Sequence, residues 1–346
     1  ASSHGKGVIK LWHINDDKEI KNFTGLSVIY ELSFSPDGNT LACANENGEI
    51  ITLRLDSNEI KIIKAHTDWV TSINFSQDGQ TLISGSENGK LKIWQIDDNG
   101  LQEITNNQAH KDAITSVRFC SDGQTFASAS KDGTVQLWDL QGNKLSIFQG
   151  HSNQVKSICF NPNNHILASA DNDGIVRCWS LIDKKQITLN HNSKVTTVKF
   201  SPYSKTLASA DESGNVNLWK LDGTNMISHQ FCNSKITEIS FSAQNQDIAF
   251  SHKNGNIEFL SLNNSETPFP LVQESGITNL EFSVDGKTLA FTQENGIIQI
   301  CKQDGSLLAL GRHSNRTISM SLNFNNKNLA TVGADKSIKI WNFKNN

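Results

Sequence analysis

The stretch VTSINFSQDGQTLISGSENGKLKIW, residues 70–94, contains the pattern that decides the fold of this 346-residue chain. A short apolar run ends in Phe75, and the Asp-Gly pair that follows favours a tight hairpin turn, because glycine tolerates positive φ angles. A second apolar run leads to Glu-Asn-Gly, another hairpin signal, and an alternating polar and apolar run then ends in Trp94. A more polar run, 101–105, precedes His110. This stretch therefore predicts a four-stranded antiparallel meander.

The pattern recurs along the whole chain. Phenylalanine closes the first run at intervals of 40 to 44 residues, at Phe34, Phe75, Phe119, Phe160, Phe200, Phe241, Phe282 and Phe324. Six of the seven tryptophans close the third run, namely Trp12, Trp94, Trp138, Trp179, Trp219 and Trp341. A fixed period of this length indicates stacked supersecondary units. Since one such sheet cannot bury its own faces, the pattern predicts an all-β fold in which sheets pack radially as a single β-propeller.

At these residues the chain resembles the WD-repeat (WD40-type) β-propeller family. The family pattern of Gly-His, Phe-Ser-Pro-Asp-Gly, Leu-Ala-Ser and Trp-Asp is reproduced in parts at 150–151, 34–38, 207–209 and 138–139. The resemblance covers essentially all of the chain, and repeats in register are far more specific than one match. The Asn- and Gln-rich style is similar to that of repeat arrays in large prokaryotic signalling proteins, so we expect a fragment of a longer polypeptide with further domains.

The repeats predict one domain over 1–346. The segment 1–26 is a partial repeat with a closing strand, and full repeats are expected near 27–66, 67–110, 111–151, 152–191, 192–232, 233–273, 274–313 and 314–346. This count favours eight blades. The ring would close by pairing 19–24, as an N-terminal outer strand, with the C-terminal strands, which leaves 8–12 without a place. A seven-bladed ring with unpaired extra strands and a nine-bladed ring remain alternatives.

Bulk properties narrow the class of partner. The net charge of −4 gives no reason to expect nucleic acid or an anionic membrane, and no apolar stretch is long enough to cross a bilayer. The six cysteines are scattered without a CxxC pair, which argues against a metal site or disulfides and favours a reducing, cytoplasmic setting. We expect no cofactor and no metal.

The resemblance implies a hydrogen-bonded network of His, Ser, Asp and Trp inside each blade. Two repeats carry it fully, as His110, Ser128, Asp132, Trp138 and as His151, Ser169, Asp173, Trp179. Two more have Asn88 or Ser213 in the Asp slot, and His313 is displaced by an apparent insertion. A grouping repeated once per blade indicates a scaffold, because a catalytic triad needs one unique constellation.

The resemblance also implies binding positions on one face of the ring. They fall at the start of the innermost strand, at Val28, Trp69, Gln154, Lys194 and Lys235, with Tyr30 two residues further on. A second set lies just before the Asp-Gly turn, at Glu46, Glu87, Lys131, Asn172, Glu212, Lys253 and Glu294. Trp69 is the strongest candidate, because it lies outside the structural tryptophan slot and aromatic residues are favoured anchors at interfaces. The charges suggest an acidic arc and a basic arc.

The leading functional prediction is a non-catalytic scaffold or sensor that binds a protein or peptide. The alternatives are an enzyme or a nucleic-acid binder that uses the central channel or the same face. An enzyme would require a cluster of charged residues on the innermost strands, and the readable pattern there is dominated by Phe, Ile and Val, so we expect no such cluster.

Overall fold

In a computed structural model, the described residues form only strands, turns and loops. The structure describes residues 7–13, 19–57, 59–97, 100–163, 165–203, 206–222, 225–230, 233–242, 247–261, 271–283, 286–302, 305–322, 328–335 and 337–342. These residues form eight sheets of mainly antiparallel strands, which confirms the predicted all-β propeller with eight blades.

Each blade of the first half takes four consecutive strands. In blade 1 these are β3 (Ile29–Phe34), β4 (Thr40–Asn45), β5 (Glu49–Arg54) and β6 (Ile60–Lys64). Blade 2 has β7 (Val70–Phe75), β8 (Thr81–Ser86), β9 (Lys90–Asp97) and β10 (Gly100–Gln108). Blade 3 has β11 (Ile114–Phe119), β12 (Thr125–Ser130), β13 (Val135–Asp139) and β14 (Lys144–Phe148). Blade 4 has β15 (Val155–Phe160), β16 (Ile166–Asp171), β17 (Ile175–Ser180) and β18 (Gln186–Asn190).

The second half continues this plan up to the last blade. Blade 5 has β19 (Val195–Phe200), β20 (Thr206–Asp211), β21 (Asn215–Lys220) and β22 (Asn225–Gln230). Blade 6 has β23 (Ile236–Phe241), β24 (Asp247–His252), β25 (Asn256–Ser261) and β26 (Leu271–Val272). Blade 7 has β27 (Ile277–Phe282), β28 (Thr288–Gln293), β29 (Ile297–Lys302) and β30 (Leu307–Arg312). Blade 8 has β31 (Thr317–Leu322), β32 (Asn328–Gly333) and β33 (Ser337–Asn342), joined by β1 (Gly7–His13) and β2 (Glu19–Leu26).

Apolar side chains fill the junctions between neighbouring blades. The first strand of each blade contacts the first strand of the next, and β31 contacts β3, so the ring is closed. Eight apolar clusters occupy the eight junctions. At the closing junction, Leu32 and Ile51 of blade 1 pack with Val332 and Ile338 of blade 8. Burial of apolar surface between sheets that cannot bury it alone is what stabilises this architecture.

The closure of blade 8 differs in one respect from the expected one. β2 is the outermost strand, but β1 lies between β2 and β33, so the expectation that 8–12 has no place is wrong. β1 pairs in parallel with β33, with Val8 opposite Ser337 and Trp12 opposite Trp341, and antiparallel with β2. The repeat pattern could not indicate this, because it contains only antiparallel neighbours.

Candidate functional site

Buried hydrogen bonds fix the strands of blade 3 to one another. Trp138 Nε1 donates to Ser128 Oγ at 2.9 Å, and Ser128 Oγ lies 2.7 Å from His110 Nε2. His110 Nδ1 lies 3.2 Å from Asp132 Oδ2. Since the indole can only donate, the chain is satisfied when Ser128 donates to Nε2 and Nδ1–H donates to the carboxylate. Trp138 lies in the third strand, Ser128 in the second, Asp132 in the turn between these strands and His110 before the first. The hydrogen bonds therefore join all parts of the blade as a scaffold.

In blade 4 a different aspartate completes the network. His151 Nδ1 lies 2.6 Å from Asp171 Oδ2, and Asp171 is fully buried at the end of β16. The prediction of Asp173 for this role is wrong: Asp173 instead accepts hydrogen bonds from Ser152 Oγ and Asn153 Nδ2. The remaining links follow blade 3, because His151 Nε2 lies 2.6 Å from Ser169 Oγ and Trp179 Nε1 donates to Ser169 at 2.8 Å.

Blades 5 and 8 contain complete networks that the sequence did not reveal. In blade 5 it is Asp211, and not Ser213, that lies 3.2 Å from His191 Nδ1. In blade 8, His313 Nδ1 lies 3.2 Å from Asp335 Oδ1, so the histidine expected to be displaced is in place. Thr331 takes the serine position there, 2.8 Å from His313 Nε2.

Blade 2 has the network without its carboxylate. His66 Nε2 lies 2.7 Å from Ser84 Oγ, but within the described part of the chain His66 Nδ1 has no hydrogen-bond partner. The Asn88 side chain is engaged elsewhere, with Ser86 and Thr67. Burial, followed by the charges of Lys92 and Lys90, lowers the pKa of His66 to about 3.

Charged side chains line the central channel, contrary to the expectation of no such cluster on the innermost strands. Glu31, Arg118, Lys199, Glu238 and Glu281 surround a cavity of about 550 Å³. They occupy positions one or three residues before the recurring phenylalanines, where side chains alternate between the junction and the channel. Charged residues at these two positions are the signal in the sequence that indicates this cluster.

These channel residues bridge neighbouring blades. Glu31 accepts a hydrogen bond from the Ile73 N–H of the next blade and lies 3.0 Å from Arg118 Nη2, two blades away. Glu281 accepts from the Leu322 N–H, and burial raises the pKa of Glu281 to about 7. Two backbone N–H groups of innermost strands thus find partners in side chains of the adjacent blade, which gives Glu31 and Glu281 a structural role.

The two predicted sets of binding positions meet in pairs on one face of the ring, which we term the top face. In each blade, the backbone N–H of the turn residue donates to the carbonyl of the residue at the start of the innermost strand, at 2.7 to 3.3 Å. The pairs are Glu46 with Val28, Glu87 with Trp69, Lys131 with Ala113, Asn172 with Gln154, Glu212 with Lys194, Lys253 with Lys235, Glu294 with Gly276 and Ala334 with Arg316. The residues chosen from sequence therefore surround the same mouth of the channel.

An aromatic pair stands out on the top face. The side chain of Trp69 is 45% exposed, and its ring centroid lies 5.4 Å from that of Tyr30 in the neighbouring blade. Tyr30 occupies a register irregularity between Ile29 and Glu31 in β3, and such irregularities redirect a side chain from the regular alternation. Burial, then the charges of Glu46 and Glu87, raise the pKa of Tyr30. The two aromatic rings and two carboxylates form one site, which we term the aromatic–acidic site.

Some opposite charges of the top face are paired across the junctions between blades. Glu87 lies 2.6 Å from Lys131, and Glu212 lies 2.8 Å from Lys235, so acidic and basic residues of adjacent blades are paired. The hydrogen bond from Lys235, followed by the charges of Lys235, Lys194 and Lys156, lowers the pKa of Glu212. Blades 4 to 6 thus carry a surplus of lysines, and the carboxylates beside Tyr30 and Trp69 lie on the other side of the ring.

Within the described ranges, no group of three or more His, Cys, Asp or Glu residues could hold a metal ion. No helix capable of spanning a membrane occurs there either. The described cysteines, Cys43, Cys120, Cys159, Cys178 and Cys301, are not in disulfides.

A closed ring of seven four-stranded sheets and one five-stranded sheet defines a β-propeller. Residues 57–95, 101–139 and 304–342 match the family described as "WD domain, G-beta repeat", and residues 125–249 match "IFT140 first beta-propeller". The chain therefore contains WD40 repeats and folds as an eight-bladed propeller. A search of curated proteins gives no match.

Two solved structures illustrate the shared fold. The computationally designed Ika8 protein has a TM-score of 0.82 and 23% identity, over 98% of this chain and 100% of that one. Chaetomium thermophilum Sqt1, bound to the N-terminus of the ribosomal protein L10, has a TM-score of 0.84 and 17% identity, over 92% of this chain and 97% of that one.

Proposed function

We propose that this propeller is a non-catalytic interaction module that binds a peptide or an extended protein segment on its top face. The observation that carries the proposal is the Tyr30–Trp69 pair, because a large aromatic ring that is half exposed and held against a second ring is a ready anchor for a partner. WD40 propellers generally mediate protein interactions, and one similar structure is in complex with the N-terminus of a ribosomal protein.

A rigid scaffold supports this role. The top-face residues are held by backbone hydrogen bonds in every blade, and buried networks fix blades 3, 4, 5 and 8. A preorganised surface binds a flexible segment at lower entropic cost than a mobile one does. Because none of the described cysteines is in a disulfide, we infer a reducing compartment and propose that the protein acts in the cytoplasm, in assembly or signalling. The comparisons do not support the alternative of an enzyme or a nucleic-acid binder.

Selection from a random peptide library displayed on phage tests the proposal. The intact protein is expected to enrich a family of related peptides, and Trp69→Ala should weaken the binding of those peptides about tenfold or more. The melting temperature should change little, because nearly half of the Trp69 side chain is already exposed to solvent.

Tyr203→Ala is the matched control, since Tyr203 is 60% exposed and lies in the turn between the first and second strands of blade 5, on the face opposite the top face. The proposal fails if no peptide is enriched. It also fails if Trp69→Ala binds the enriched peptides as well as Tyr203→Ala does.

A further inference from the structure

The aromatic–acidic site combines a flat apolar surface with fixed negative charge. One side of the Trp69 ring packs on Tyr30, with 32° between the ring planes, while nearly half of the side chain stays open to solvent. The Glu46 carboxylate accepts a hydrogen bond from the Val28 N–H at 3.1 Å, which holds it beside Tyr30. Glu87 is held beside Trp69 by its backbone bond to the Trp69 carbonyl. Carboxylates attract cations, and so do the faces of aromatic rings.

The protein already places a cation in part of this site. Lys131 of blade 3 reaches across the junction so that its Nζ lies 2.6 Å from Glu87 Oε1. The Lys131 side chain is 39% exposed and the Glu87 side chain is 33% exposed. A solvent-accessible pair of this kind stabilises a protein only weakly, so an incoming cation can compete with Lys131 for the carboxylate.

The rest of the top face favours the same location. Lys156, Lys194 and Lys235 gather around Glu212 in blades 4 to 6, where they repel a positively charged segment. The carboxylates of blades 1 and 2 attract it. A cationic residue is therefore steered to Tyr30 and Trp69 and away from the other side of the ring.

We propose that the aromatic–acidic site recognises the side chain of an arginine or lysine in the partner peptide. The cationic group stacks on the exposed Trp69 ring and forms an ion pair with Glu87, displacing Lys131, while Glu46 adds to the negative field. This inference rests on the proposed peptide binding and specifies its chemistry.

The peptides enriched by the library selection provide the first test. They are expected to share one Arg or Lys position whose recovery depends on Trp69. Peptides that require Trp69 but share no basic residue would overturn this inference while leaving the proposed function intact. If no peptide is enriched, both fail.

A second test uses titration calorimetry with a synthetic copy of one enriched peptide and a variant carrying Gln at the shared position. The Arg peptide should bind about tenfold tighter than the Gln peptide, and Glu87→Gln should reduce that difference to about threefold or less, because the contact with Trp69 and the charge of Glu46 remain. Glu59→Gln is the matched control, because the Glu59 side chain is 48% exposed and lies just before β6, on the face opposite the top face, so it should leave the difference unchanged.

Lys131→Gln gives the sharpest outcome. If Lys131 competes with the ligand for Glu87, its removal should strengthen binding of the Arg peptide about threefold. A decrease on Lys131→Gln would mean that Lys131 contacts the ligand itself and would contradict the inference. Melting temperatures of all variants, measured alongside, show that the ring remains folded.

Discussion

In blade 4 the aspartate that contacts the network histidine is Asp171, which lies two positions before Asp173, the counterpart of Asp132 in blade 3. Asp171 lies at the end of β16 and Asp173 in the following turn. In blade 3 the turn aspartate, Asp132, reaches the histidine, whereas in blade 4 the strand-end aspartate does. Burial acts to raise the pKa of Asp171, but the hydrogen bonds from His151 and from the Ile175 and Asp173 backbone outweigh it and hold that pKa below its usual range.

The two positions should differ clearly in their effect on stability. Asp171→Ala leaves the buried His151 Nδ1–H and two backbone N–H groups without an acceptor, so the free energy of unfolding should fall by about 3 kcal/mol. Asp173→Ala removes only exposed hydrogen bonds and should cost about 1 kcal/mol or less. Urea unfolding of the two variants measures the difference, and equal losses would contradict the assignment of Asp171.

His66 makes the stability of blade 2 depend on pH. Its pKa is about 3 in the folded protein and near 6.5 in an unfolded chain, so between these values only the unfolded chain binds the proton. The stability that His66 contributes is therefore complete above pH 6.5 and is lost as the pH falls toward 3, by about 1.4 kcal/mol per pH unit below roughly pH 5.5.

Asn88→Asp should reduce this loss. A carboxylate at 88, the turn position that Asp132 has in blade 3, would give His66 Nδ1–H an acceptor and raise the pKa of His66. The melting temperature between pH 7 and 4.5 should then fall less steeply than in the unmodified protein. Asn254→Asp, at the same turn position in blade 6, is the control and should not alter the slope. Parallel curves for all three proteins would refute the explanation.

The spacing of the repeats alone could not show which residue takes each place in the hydrogen-bonded networks, or which residues line the channel. The sequence identified His110, Ser128, Asp132 and Trp138 correctly, because blade 3 follows the family pattern throughout. It could not choose between Asp171 and Asp173, since both reach the same corner of the blade. The charged channel residues were missed because the pattern was read from the apolar positions between them.

At the scale of the element, the β1–β2 hairpin is the unusual feature. β1 and β33 carry the related sequences GVIKLWH and SIKIWN and lie in parallel register. β2 runs antiparallel to both, which is the direction of the outer strand in the other blades. β1 is therefore inserted between two strands that have the right directions to pair with each other.

A chain that lacks residues 1–13 should still close its ring. Without β1, β2 is expected to pair directly with β33, so the amides of Ser337–Asn342 should keep their protection from hydrogen exchange. A chain that lacks 1–26 is the control, because it exposes the edge of β33 and should lose this protection. Loss of protection in the first variant would show that β1 is required for closure.

At the scale of the whole molecule, the period of the sequence was sufficient for the architecture. A repeat near 41 residues with two hairpin turns requires equal sheets that bury one another's faces, and the ring of eight follows once the apolar clusters join blade 8 to blade 1. The top face also followed from the pattern, because equivalent positions of equal blades lie on the same side. The pairing of Tyr30 with Trp69 did not, since it joins two blades through side chains whose directions spacing does not define.

The crystal structure of the protein with a selected peptide bound is the measurement that tests the account most directly. It should show a closed ring of eight blades, with the peptide across the top face, a cationic side chain on Trp69 and its charged group within hydrogen-bond distance of Glu87. A peptide that binds without contacting Trp69 would contradict the account. Such a peptide could lie beside Tyr203 on the opposite face, along the outer edge of a blade, or deep in the channel.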